Sequence, residues 1–369
     1  MKTLKIIFSG GGTGGHIFPA VAIANEIKRL VPDVEILFVG ALGKMEMEKV
    51  PAAGYKIIGV PIVGFQRKFT LSNLKLPFLI IQSLFQTRKI VTEFKPDVVV
   101  GTGGYASGPL LKAATSKGIP ALLQEQNSYA GITNKILSKR ASKICVAYEG
   151  MEEFFAKEKI ILTGNPVRQD ITDIFSKRDE GFDYFKFEKN RKVILVVGGS
   201  LGAKGINEAM SEGLALLADK NIQLIWQTGK TYYEIAKQQI ISFESKNMKA
   251  VDFISRMDLA YAVADVVVSR AGAGAISELC IVKKPSILVP LLTAAEDHQT
   301  KNAMALVNKK AAILVRDNQA KNYLVSEAIA LIENETLCDQ LSKNCASLAR
   351  PDSTNKIAHE VLKLANYSL

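Results

Sequence analysis

A glycine-rich segment near the start of the chain restricts the fold more than any other feature of the sequence. The run Gly10-Gly11-Gly12-Thr13-Gly14-Gly15-His16 follows the apolar stretch Leu4–Phe8 and precedes a helix predicted to begin near Pro19. Glycine suits such a turn because positive φ angles and close approach of an anion are closed to residues with a Cβ. Backbone N–H groups at the start of the helix would face that anion. The segment therefore predicts a phosphate-binding loop between a strand and a helix.

Short β-rich apolar runs alternate with helical patterns along the whole chain. This alternation is typical of parallel βαβ units, in which a helix follows each strand and packs on the sheet. We predict an α/β fold with two Rossmann-like domains built on parallel sheets. The predicted strands after Leu4–Phe8 are Val34–Val39, Pro96–Val100, Ala121–Gln124, Lys143–Ala147, Lys192–Val197, Gln223–Gln227, Asp265–Ser269, Ser286–Val289 and Ala311–Val315.

The length of the chain also favours two domains. At 369 residues it exceeds the size that one hydrophobic core usually reaches, and a second glycine loop, 198–202, follows the strand Lys192–Val197 and precedes a helix from about Ile206. We predict a first domain over 1–166, a second over 167–350 and a final helix over 351–369 that packs back on the first domain. Ligands of such sheets bind beyond the carboxyl ends of strands, so the cleft between the domains is the predicted binding site.

Composition and charge argue against several classes of protein. No stretch approaches the roughly 18 apolar residues of a membrane span, and the apolar run before the glycines is too short for a signal peptide, so we expect a cytosolic protein. The four cysteines form no Cys-x-x-Cys pair and only three histidines are present, which argues against disulfides and zinc. The net charge of +11 favours acidic partners, but no nucleic-acid-binding motif is visible and nucleic acid is not expected.

The first glycine loop formally matches a dinucleotide-binding fingerprint. Gly10, Gly12 and Gly15 satisfy G-x-G-x-x-G, but the second strand ends in Val39-Gly40-Ala41-Leu42, where that fingerprint needs a ribose-binding carboxylate. The loop also lacks the Gly-Lys-Ser/Thr ending of a P-loop. A dehydrogenase and a nucleoside triphosphatase are therefore disfavoured, and a purely structural turn remains the simpler alternative.

Two side chains beside glycine loops are candidates for chemistry. His16 lies at a predicted helix start, where the positive end of the helix dipole disfavours a protonated imidazole, so it could act as a neutral hydrogen-bond partner or base. Glu278 follows the loop 270–274 in the first turns of another predicted helix. A nucleotide above that loop would meet a carboxylate that can accept from both ribose hydroxyls. The alternatives are a satisfied histidine and a glutamate that only stabilises its own helix.

Polar residues follow strands in both halves. Residues 124–127, Gln-Glu-Gln-Asn, end one strand, and residues 296–299, Glu-Asp-His-Gln, follow another. A solvated loop explains either run alone, but both at one cleft favour ligand contacts. No Asp-x-Asp occurs, so one common metal-binding platform of sugar-nucleotide enzymes is missing. Helix dipoles and Arg168, near the predicted domain junction, would then stabilise a diphosphate, unless Arg168 is an ordinary surface residue.

The segment from Lys56 to Lys95 is strongly basic and partly apolar. It carries seven positively charged residues against Glu93 alone, and its apolar residues surround Pro77. This mixture is typical of a segment that rests on an anionic membrane surface, although a core helix with a basic outer face would look the same. The predicted membrane contacts are Arg67, Lys68, Leu74, Lys75, Phe78, Ile81 and Phe85.

Taken together, the motifs resemble the MurG family, which transfers N-acetylglucosamine from UDP-N-acetylglucosamine to lipid-linked N-acetylmuramoyl-pentapeptide in peptidoglycan synthesis. The resemblance covers nearly the whole chain. It depends on Gly-Gly-Thr-Gly-Gly-His-Ile-Phe-Pro-Ala (11–20), Gly-Gly-Tyr-Ala-Ser-Gly-Pro (103–109), Glu-Gln-Asn (125–127), Gly-Asn-Pro-Val-Arg (164–168), Gly-Gly-Ser-Leu-Gly (198–202), Arg-Ala-Gly-Ala (270–273) and Asp-His-Gln (297–299).

The resemblance implies a GT-B fold in which the first domain handles the acceptor, lipid I, and the second holds most of the sugar nucleotide. It implies inversion at the anomeric carbon with no metal and no cofactor, by a peripheral protein on the cytoplasmic face of the cell membrane. Gly103, Gly104 and Tyr105 would face the acceptor. The implied donor contacts are Thr13, Gly14, Gly15, Asn127, Arg168, Ser200, Ile254, Ala273, Gly274, Ala275, Ile276, Ser277, Glu278 and Gln299.

Two residues remain as candidate bases for the acceptor hydroxyl, His16 and Glu125, of which we favour His16. In some members of the family a histidine precedes Glu-Gln-Asn, but this chain has Gln124 there, so that position cannot supply a base. The alternative functions are another GT-B enzyme, such as a sugar-nucleotide epimerase or a glycolipid synthase, and a non-catalytic membrane scaffold that binds nucleotide.

Overall fold

Parallel strands form the centre of both halves of the chain. The structure, a computed structural model, describes residues 3–62, 76–199, 201–243, 247–293 and 295–368. The chain separates into a first unit, Met1–Val167 with Pro351–Leu369, and a second unit, Arg168–Arg350. Each unit has its own parallel sheet flanked by helices, which confirms the predicted α/β class with two Rossmann-like domains.

The sheet of the first unit has the strand order β3-β2-β1-β4-β5-β6-β7, and every pairing is parallel. Its strands are β1 (Lys5–Ser9), β2 (Glu35–Ala41), β3 (Lys56–Val60), β4 (Val98–Gly101), β5 (Ala121–Glu125), β6 (Lys143–Val146) and β7 (Ile160–Leu162). The helices that connect them are α1 (Gly14–Leu30), α2 (Glu46–Ala52), α3 (Leu76–Phe94), α4 (Ser107–Thr115) and α5 (Ile132–Ser138).

The sheet of the second unit has the order β10-β9-β8-β11-β12-β13 and is also parallel. Its strands are β8 (Val193–Val197), β9 (Gln223–Gln227), β10 (Met248–Val251), β11 (Val266–Ser269), β12 (Ser286–Leu288) and β13 (Ile313–Leu314). Its helices are α6 (Arg178–Phe185), α7 (Lys204–Asp219), α8 (Lys230–Ser242), α9 (Met257–Val263), α10 (Ala273–Val282), α11 (His298–Val307), α12 (Ala320–Glu333) and α13 (Glu335–Ser347).

The last helix, α14 (Ser353–Leu364), belongs to the first unit. Its buried residues Ile357, Ala358 and Val361 lie in the same apolar cluster as Ile23 and Ile27 of α1. A helix with one apolar face is stabilised chiefly by such packing, because its intrinsic propensity alone is marginal at this length. The end of the chain therefore completes the core of the unit in which the chain begins.

The helix after the first glycine loop begins earlier than predicted. It starts at Gly14 rather than near Pro19, because the carbonyl of Thr13 already accepts hydrogen bonds from the N–H groups of His16 and Ile17. Pro19 lies inside the helix, where it removes only one backbone donor. The expectation of a start near Pro19 is wrong, and Gly14, Gly15 and His16 belong to the first helical turn.

The strand order brings the loops of interest together within each sheet. In both units the order reverses at the first strand: β1 lies between β2 and β4, and β8 lies between β9 and β11. In the first unit, the segments that follow β1 and β4 run in opposite directions from this switch point, and in the second unit those that follow β8 and β11 do the same. Each pair of segments leaves a crevice, which is where this class of fold binds ligands. The glycine loops that follow these four strands therefore lie at the two crevices.

Candidate active site

In the first unit, the loops after β1 and β4 interlock. Gly103 and Gly104 have φ angles of +96° and +77°, and a Cβ at Gly104 would collide with the carbonyl oxygen of Gly11. The hydroxyl of Thr102 donates to the carbonyl of His16 at 2.7 Å. The ring of Tyr105 lies against Gly12, at 3.3 Å from the position a Cβ would occupy. The predicted acceptor residues therefore form one surface with the first glycine loop.

His16 is held in this surface by its own loop. Its Nδ1 lies 3.1 Å from the carbonyl oxygen of Gly11 and 3.3 Å from the hydroxyl of Thr13. A carbonyl can only accept, so we assign the proton of the neutral ring to Nδ1, which makes Nε2 the basic nitrogen. Nε2 lies beside Gly103, at 3.2 Å from the position a Cβ would occupy there. The imidazole thus directs its basic atom towards the loop after β4.

Glu46, at the start of α2, holds the first glycine loop in place through its side chain. Its carboxylate is fully buried and accepts the N–H of Gly12 on Oε2 and the N–H of Ala41 on Oε1, both at 3.0 Å. Burial and the charge of Glu46 raise the pKa of the Tyr105 phenol. Since a carboxylate already binds the N–H of Gly12, an incoming phosphate must use other N–H groups, such as those of the first turn of α1. No motif in the sequence marks Glu46, so its role follows only from the structure.

Glu125 is surrounded by hydrogen-bond donors. Its Oε1 accepts the backbone N–H and the side-chain amide of Asn127 at 3.1 and 3.2 Å, and its Oε2 accepts the N–H of Gly131 at 3.1 Å and Nδ2 of Asn134 at 2.9 Å. Burial raises the pKa of this carboxyl, although the N–H donors act in the opposite direction. A carboxylate with four donors fixes the shape of its loop, and this favours His16 over Glu125 as the base.

Asn134 connects the Glu125 loop with the surface formed by the two glycine loops. The sequence did not predict this role. It is 2% exposed, and its Nδ2, which binds Glu125, lies 3.6 Å from the position a Cβ would occupy at Gly103. Within the part of the chain that the structure describes, its Oδ1 is buried without a hydrogen-bond partner. Such an atom is costly unless a ligand or water donates to it. Only the fold brings it here, since no pattern in the sequence singles it out.

Gln124 has a structural role. It is fully buried, and its Nε2 donates to Oδ1 of Asn165 at 2.9 Å while its Oε1 accepts from the side chain of Gln126. Asn165 in turn donates from Nδ2 to the carbonyl of Gln126 at 2.9 Å, and its own carbonyl accepts from the hydroxyl of Ser353 on α14. This polar network ties the last helix to the end of β5.

In the second unit, the N-terminus of α10 carries Ala273, Gly274, Ala275, Ile276, Ser277 and Glu278. Glu278 on α10 pairs with Arg168: the distance from Nε to Oε1 is 3.2 Å. The hydroxyl of Tyr261 donates to Oε2 of Glu278 at 3.1 Å. Burial raises the pKa of Glu278, whereas the charge of Arg168 acts to lower it. Two predicted donor contacts, Arg168 and Glu278, are therefore brought together.

The remaining predicted donor residues are more scattered. Ile254 is buried after β10, and Oε1 of Gln299 on α11 accepts the N–H of Leu291 at 3.0 Å. Thr13 is the residue that precedes α1, and Asn127 binds Glu125. Ser200 lies outside the described residues, as do the predicted membrane contacts Arg67, Lys68, Leu74 and Lys75. Contacts of these residues with the sugar nucleotide remain a prediction.

The described residues include neither a candidate membrane-spanning helix nor a candidate metal-binding cluster. None of the helices there is both long enough and apolar enough to span a bilayer. Within the same part of the chain, no cluster of three or more His, Cys, Asp or Glu side chains has an arrangement that could hold a metal ion.

Comparison with known proteins identifies similar domains and similar full-length chains. The glycosyltransferase family 28 N-terminal domain matches residues 6–146, and the glycosyltransferase family 28 C-terminal domain matches residues 193–357. The crystal structure of Acinetobacter baumannii MurG is similar to this chain with a TM-score of 0.79 at 26% identity, and the match covers 98% of this chain and all of that one.

Relatives from two further bacteria are similar at the level of sequence. The chain is 53% identical over 365 residues to a protein of Parabacteroides distasonis, and the match covers 99% of both chains. It is 55% identical over 366 residues to a protein of Cytophaga hutchinsonii, and this match covers 99% of this chain and 98% of the relative. Both relatives are named UDP-N-acetylglucosamine–N-acetylmuramyl-(pentapeptide) pyrophosphoryl-undecaprenol N-acetylglucosamine transferase.

The substitution Glu46→Gln tests the role of the buried carboxylate in the glycine loop. An amide has one acceptor oxygen, so the N–H of Gly12 or Ala41 would face an NH₂ group, and we expect the free energy of unfolding to fall by about 1–3 kcal/mol in urea denaturation. Glu48→Gln on the same helix is the matched control, because Glu48 is 77% exposed and pairs at the surface with Lys49. The control should change stability by less than about 0.5 kcal/mol, and equal losses in both variants would contradict the assignment.

Proposed function

Because the chain belongs to glycosyltransferase family 28, we propose that it transfers N-acetylglucosamine from UDP-N-acetylglucosamine to lipid I, giving lipid II for peptidoglycan synthesis. The acceptor is the 4-hydroxyl of the N-acetylmuramoyl-pentapeptide on undecaprenyl pyrophosphate. The observation that carries this proposal is the likeness over 99% of the chain to transferases named for this donor and acceptor. The same likeness disfavours the alternatives of an epimerase, a glycolipid synthase and a non-catalytic scaffold.

The second unit would bind the donor through the N-terminus of α10. Glu278 has the chemistry to accept hydrogen bonds from both ribose hydroxyls, and Arg168 beside it can bind the diphosphate. The positive end of the α10 dipole adds to this attraction. We assign the sugar to Gln299, whose amide can offer both donors and acceptors to an N-acetyl group. Binding of the donor between the two domains stays a prediction.

The first unit would bind the acceptor at the interlocked glycine loops. The N–H groups of Gly14 and Gly15 belong to the first turn of α1 and lack carbonyl partners within the helix, so they can bind the lipid diphosphate. Gly103, Gly104 and Tyr105 complete this surface beside His16. The orphaned Oδ1 of Asn134 can accept a hydrogen bond from a hydroxyl of the acceptor sugar.

The transfer is a single displacement with inversion. The oxygen of the acceptor 4-hydroxyl attacks the anomeric carbon of the donor sugar, the bond from that carbon to the UDP oxygen breaks, and UDP leaves with the bonding electron pair. Nε2 of His16 takes the hydroxyl proton. Arg168 and the α10 dipole stabilise the negative charge that develops on UDP, so the reaction needs no divalent metal.

The first unit would also dock on the membrane through α3, which exposes apolar side chains in its N-terminal half and buries two hydroxyl groups. Phe78, Ile81 and Phe85 are 70%, 54% and 72% exposed, whereas the polar Ser83 and Thr87 are fully buried. The buried hydroxyls are satisfied by backbone carbonyls within the helix and, for Thr87, by that of Pro109. An apolar outer face near exposed Arg88 and Lys89 suits an anionic bilayer surface. This supports the proposal that the protein docks peripherally on a membrane surface.

Incubation with labelled UDP-N-acetylglucosamine and lipid I tests the proposed reaction directly. We expect label in a lipid product, release of UDP, and the same rate when a chelator is present. Release of free sugar or of an epimer without a lipid product would favour the epimerase alternative. Tight binding of UDP without turnover on lipid I would favour the scaffold, and loss of activity on chelation would contradict the metal-independent mechanism.

Replacement of His16 tests the assignment of the base. We expect His16→Ala to lower kcat by roughly 10²- to 10⁴-fold, because a positioned general base contributes about this much, while the KM for UDP-N-acetylglucosamine changes little. His359→Ala, at an exposed position on α14, is the control and should keep normal kinetics. Near-normal turnover of the His16 variant at saturating acceptor would remove His16 from this role.

Replacement of the outer apolar face of α3 tests membrane docking. We expect the triple change Phe78→Ser, Ile81→Ser and Phe85→Ser to lower the fraction bound to phosphatidylglycerol vesicles in a sedimentation assay, because buried apolar area drives interfacial binding. Charge reversal at Arg67, Lys68 and Lys75 should also weaken vesicle binding and make the binding less dependent on salt concentration.

The matched control for this assay is the pair Leu216→Ser and Ile235→Ser, since these apolar residues are 43% and 50% exposed on helices of the second unit. This pair should bind vesicles as the unchanged protein does. Unchanged binding of the α3 variant would contradict the docking proposal.

A further inference from the structure

Tyr261 of α9 is a buried phenol that contacts the candidate donor site from inside the second unit. It is 1% exposed, and its hydroxyl donates to Oε2 of Glu278 at 3.1 Å. Burial and the negative charge of Glu278 raise the pKa of Tyr261 well above its ordinary value. The hydroxyl is therefore protonated at neutral pH and acts as the donor in this bond.

Arg168 and Tyr261, the two side chains that donate hydrogen bonds to Glu278, differ in how firmly they are held. Arg168 approaches Oε1 at 3.2 Å, but its side chain is 42% exposed. Tyr261 is enclosed by the core and reaches Oε2 from a fixed direction. A carboxylate has about four lone-pair sites, so one donor on each oxygen leaves sites for two hydroxyl groups. Tyr261 is thus the partner that can fix the plane of the carboxylate when Arg168 turns towards a diphosphate.

The helix that carries Tyr261 is anchored at both ends. Asp258, in its first turn, accepts from Nζ of Lys177 at 2.9 Å and from Nε of Arg256 at 3.0 Å. At the other end, Nη1 of Arg178 donates to the carbonyls of Ala262 and Val263 at 3.0 and 3.2 Å. All seven residues of α9 are buried. The Tyr261 hydroxyl is therefore held on a rigid support, as precise ligand recognition requires.

We propose that Tyr261 is a positioning residue for nucleotide recognition, which holds the Glu278 carboxylate so that its remaining lone pairs accept from the two ribose hydroxyls. The proposal rests on the proposed function, which supplies the uridine nucleotide. Tyr261 itself does not touch the ligand. It acts only through Glu278, so its contribution depends on the presence of the hydroxyls.

The substitution Tyr261→Phe keeps the buried ring and removes only the hydroxyl. In calorimetric titrations, we expect the Kd for UDP to rise about tenfold, as for loss of a hydrogen bond to a charged group. The Kd for 2′,3′-dideoxy-UDP should change less than about twofold, because that ligand offers Glu278 no hydroxyl. In turnover assays, the KM for UDP-N-acetylglucosamine should rise and kcat should stay nearly constant.

Two controls separate positioning from a general effect on the fold. Tyr232→Phe removes another hydroxyl of the second unit, one that lies 2.9 Å from the Ser211 hydroxyl, and should leave both Kd values unchanged. The double variant Tyr261→Phe, Glu278→Gln should bind UDP no more weakly than Glu278→Gln alone, since Tyr261 acts through that carboxylate.

The outcomes distinguish this proposal from the proposed function. Equal losses of affinity for UDP and dideoxy-UDP, unchanged affinity for both, or additive losses in the double variant would overturn the role of Tyr261 while the transferase assay still stands. Failure of the unchanged protein to bind UDP would contradict the proposed function, and this proposal with it.

Discussion

Parallel pairing of the first strand of each unit with two neighbours is the constraint on which the sites depend. β1 pairs with β2 and β4, and β8 pairs with β9 and β11, so the chain leaves these strands in opposite directions on the two sides. The resulting crevice collects helix N-termini, whose unpaired N–H groups attract anions. The glycines that are proposed to contact ligands all lie in loops that directly follow β1, β4 or β11.

Two buried carboxylates and one partly buried carboxylate support the crevices. Glu46 holds the glycine loop through two backbone N–H groups, Glu125 holds the loop after β5 through four donors, and Glu278 has Tyr261 and Arg168. A buried charge is costly unless such partners compensate for the lost water. Each carboxylate therefore fixes its surroundings in one arrangement. Their common contribution is to hold loops and side chains where ligands can bind.

The sequence predicted the interior of both sheets well and their edges poorly. All ten predicted strands are present with ends shifted by no more than two residues, and the three strands that the sequence analysis missed, β3, β7 and β10, lie at sheet edges. Interior strands such as β4 and β8 are buried at every residue and form continuous apolar runs. Edge strands are partly exposed, so β3 begins with the exposed Lys56 and Lys249 interrupts the apolar pattern of β10. Burial on both faces made the interior strands visible in the sequence, although the partly buried edge strand β13 was also predicted.

Parts of the candidate site could be predicted from local sequence, whereas other parts depend on tertiary packing. Glycine loops and Glu278 could be predicted because their chemistry is local: a turn, a helix start and a carboxylate within its first turns. Glu46, Asn134 and Tyr261 could not, because each binds a group distant in sequence. Glu46 binds the N–H of Gly12, 34 residues away, Asn134 binds Glu125, nine residues away, and Tyr261 binds Glu278, 17 residues away. Only the packing of α2, α5 and α9 brings these side chains to their partners.

In the proposed reaction, the same physical feature, a helix N-terminus, would serve opposite needs in the two units. At α10 its partial positive charge stabilises the negative charge that a departing UDP would acquire. At α1 it would disfavour a positive charge on the nearby imidazole of His16, the proposed base. Nδ1, on the carbonyl of Gly11, holds the ring in the tautomer that leaves Nε2 basic. In the proposed reaction, one helix N-terminus would therefore lie beside the group that takes the proton and another beside the diphosphate that gains negative charge.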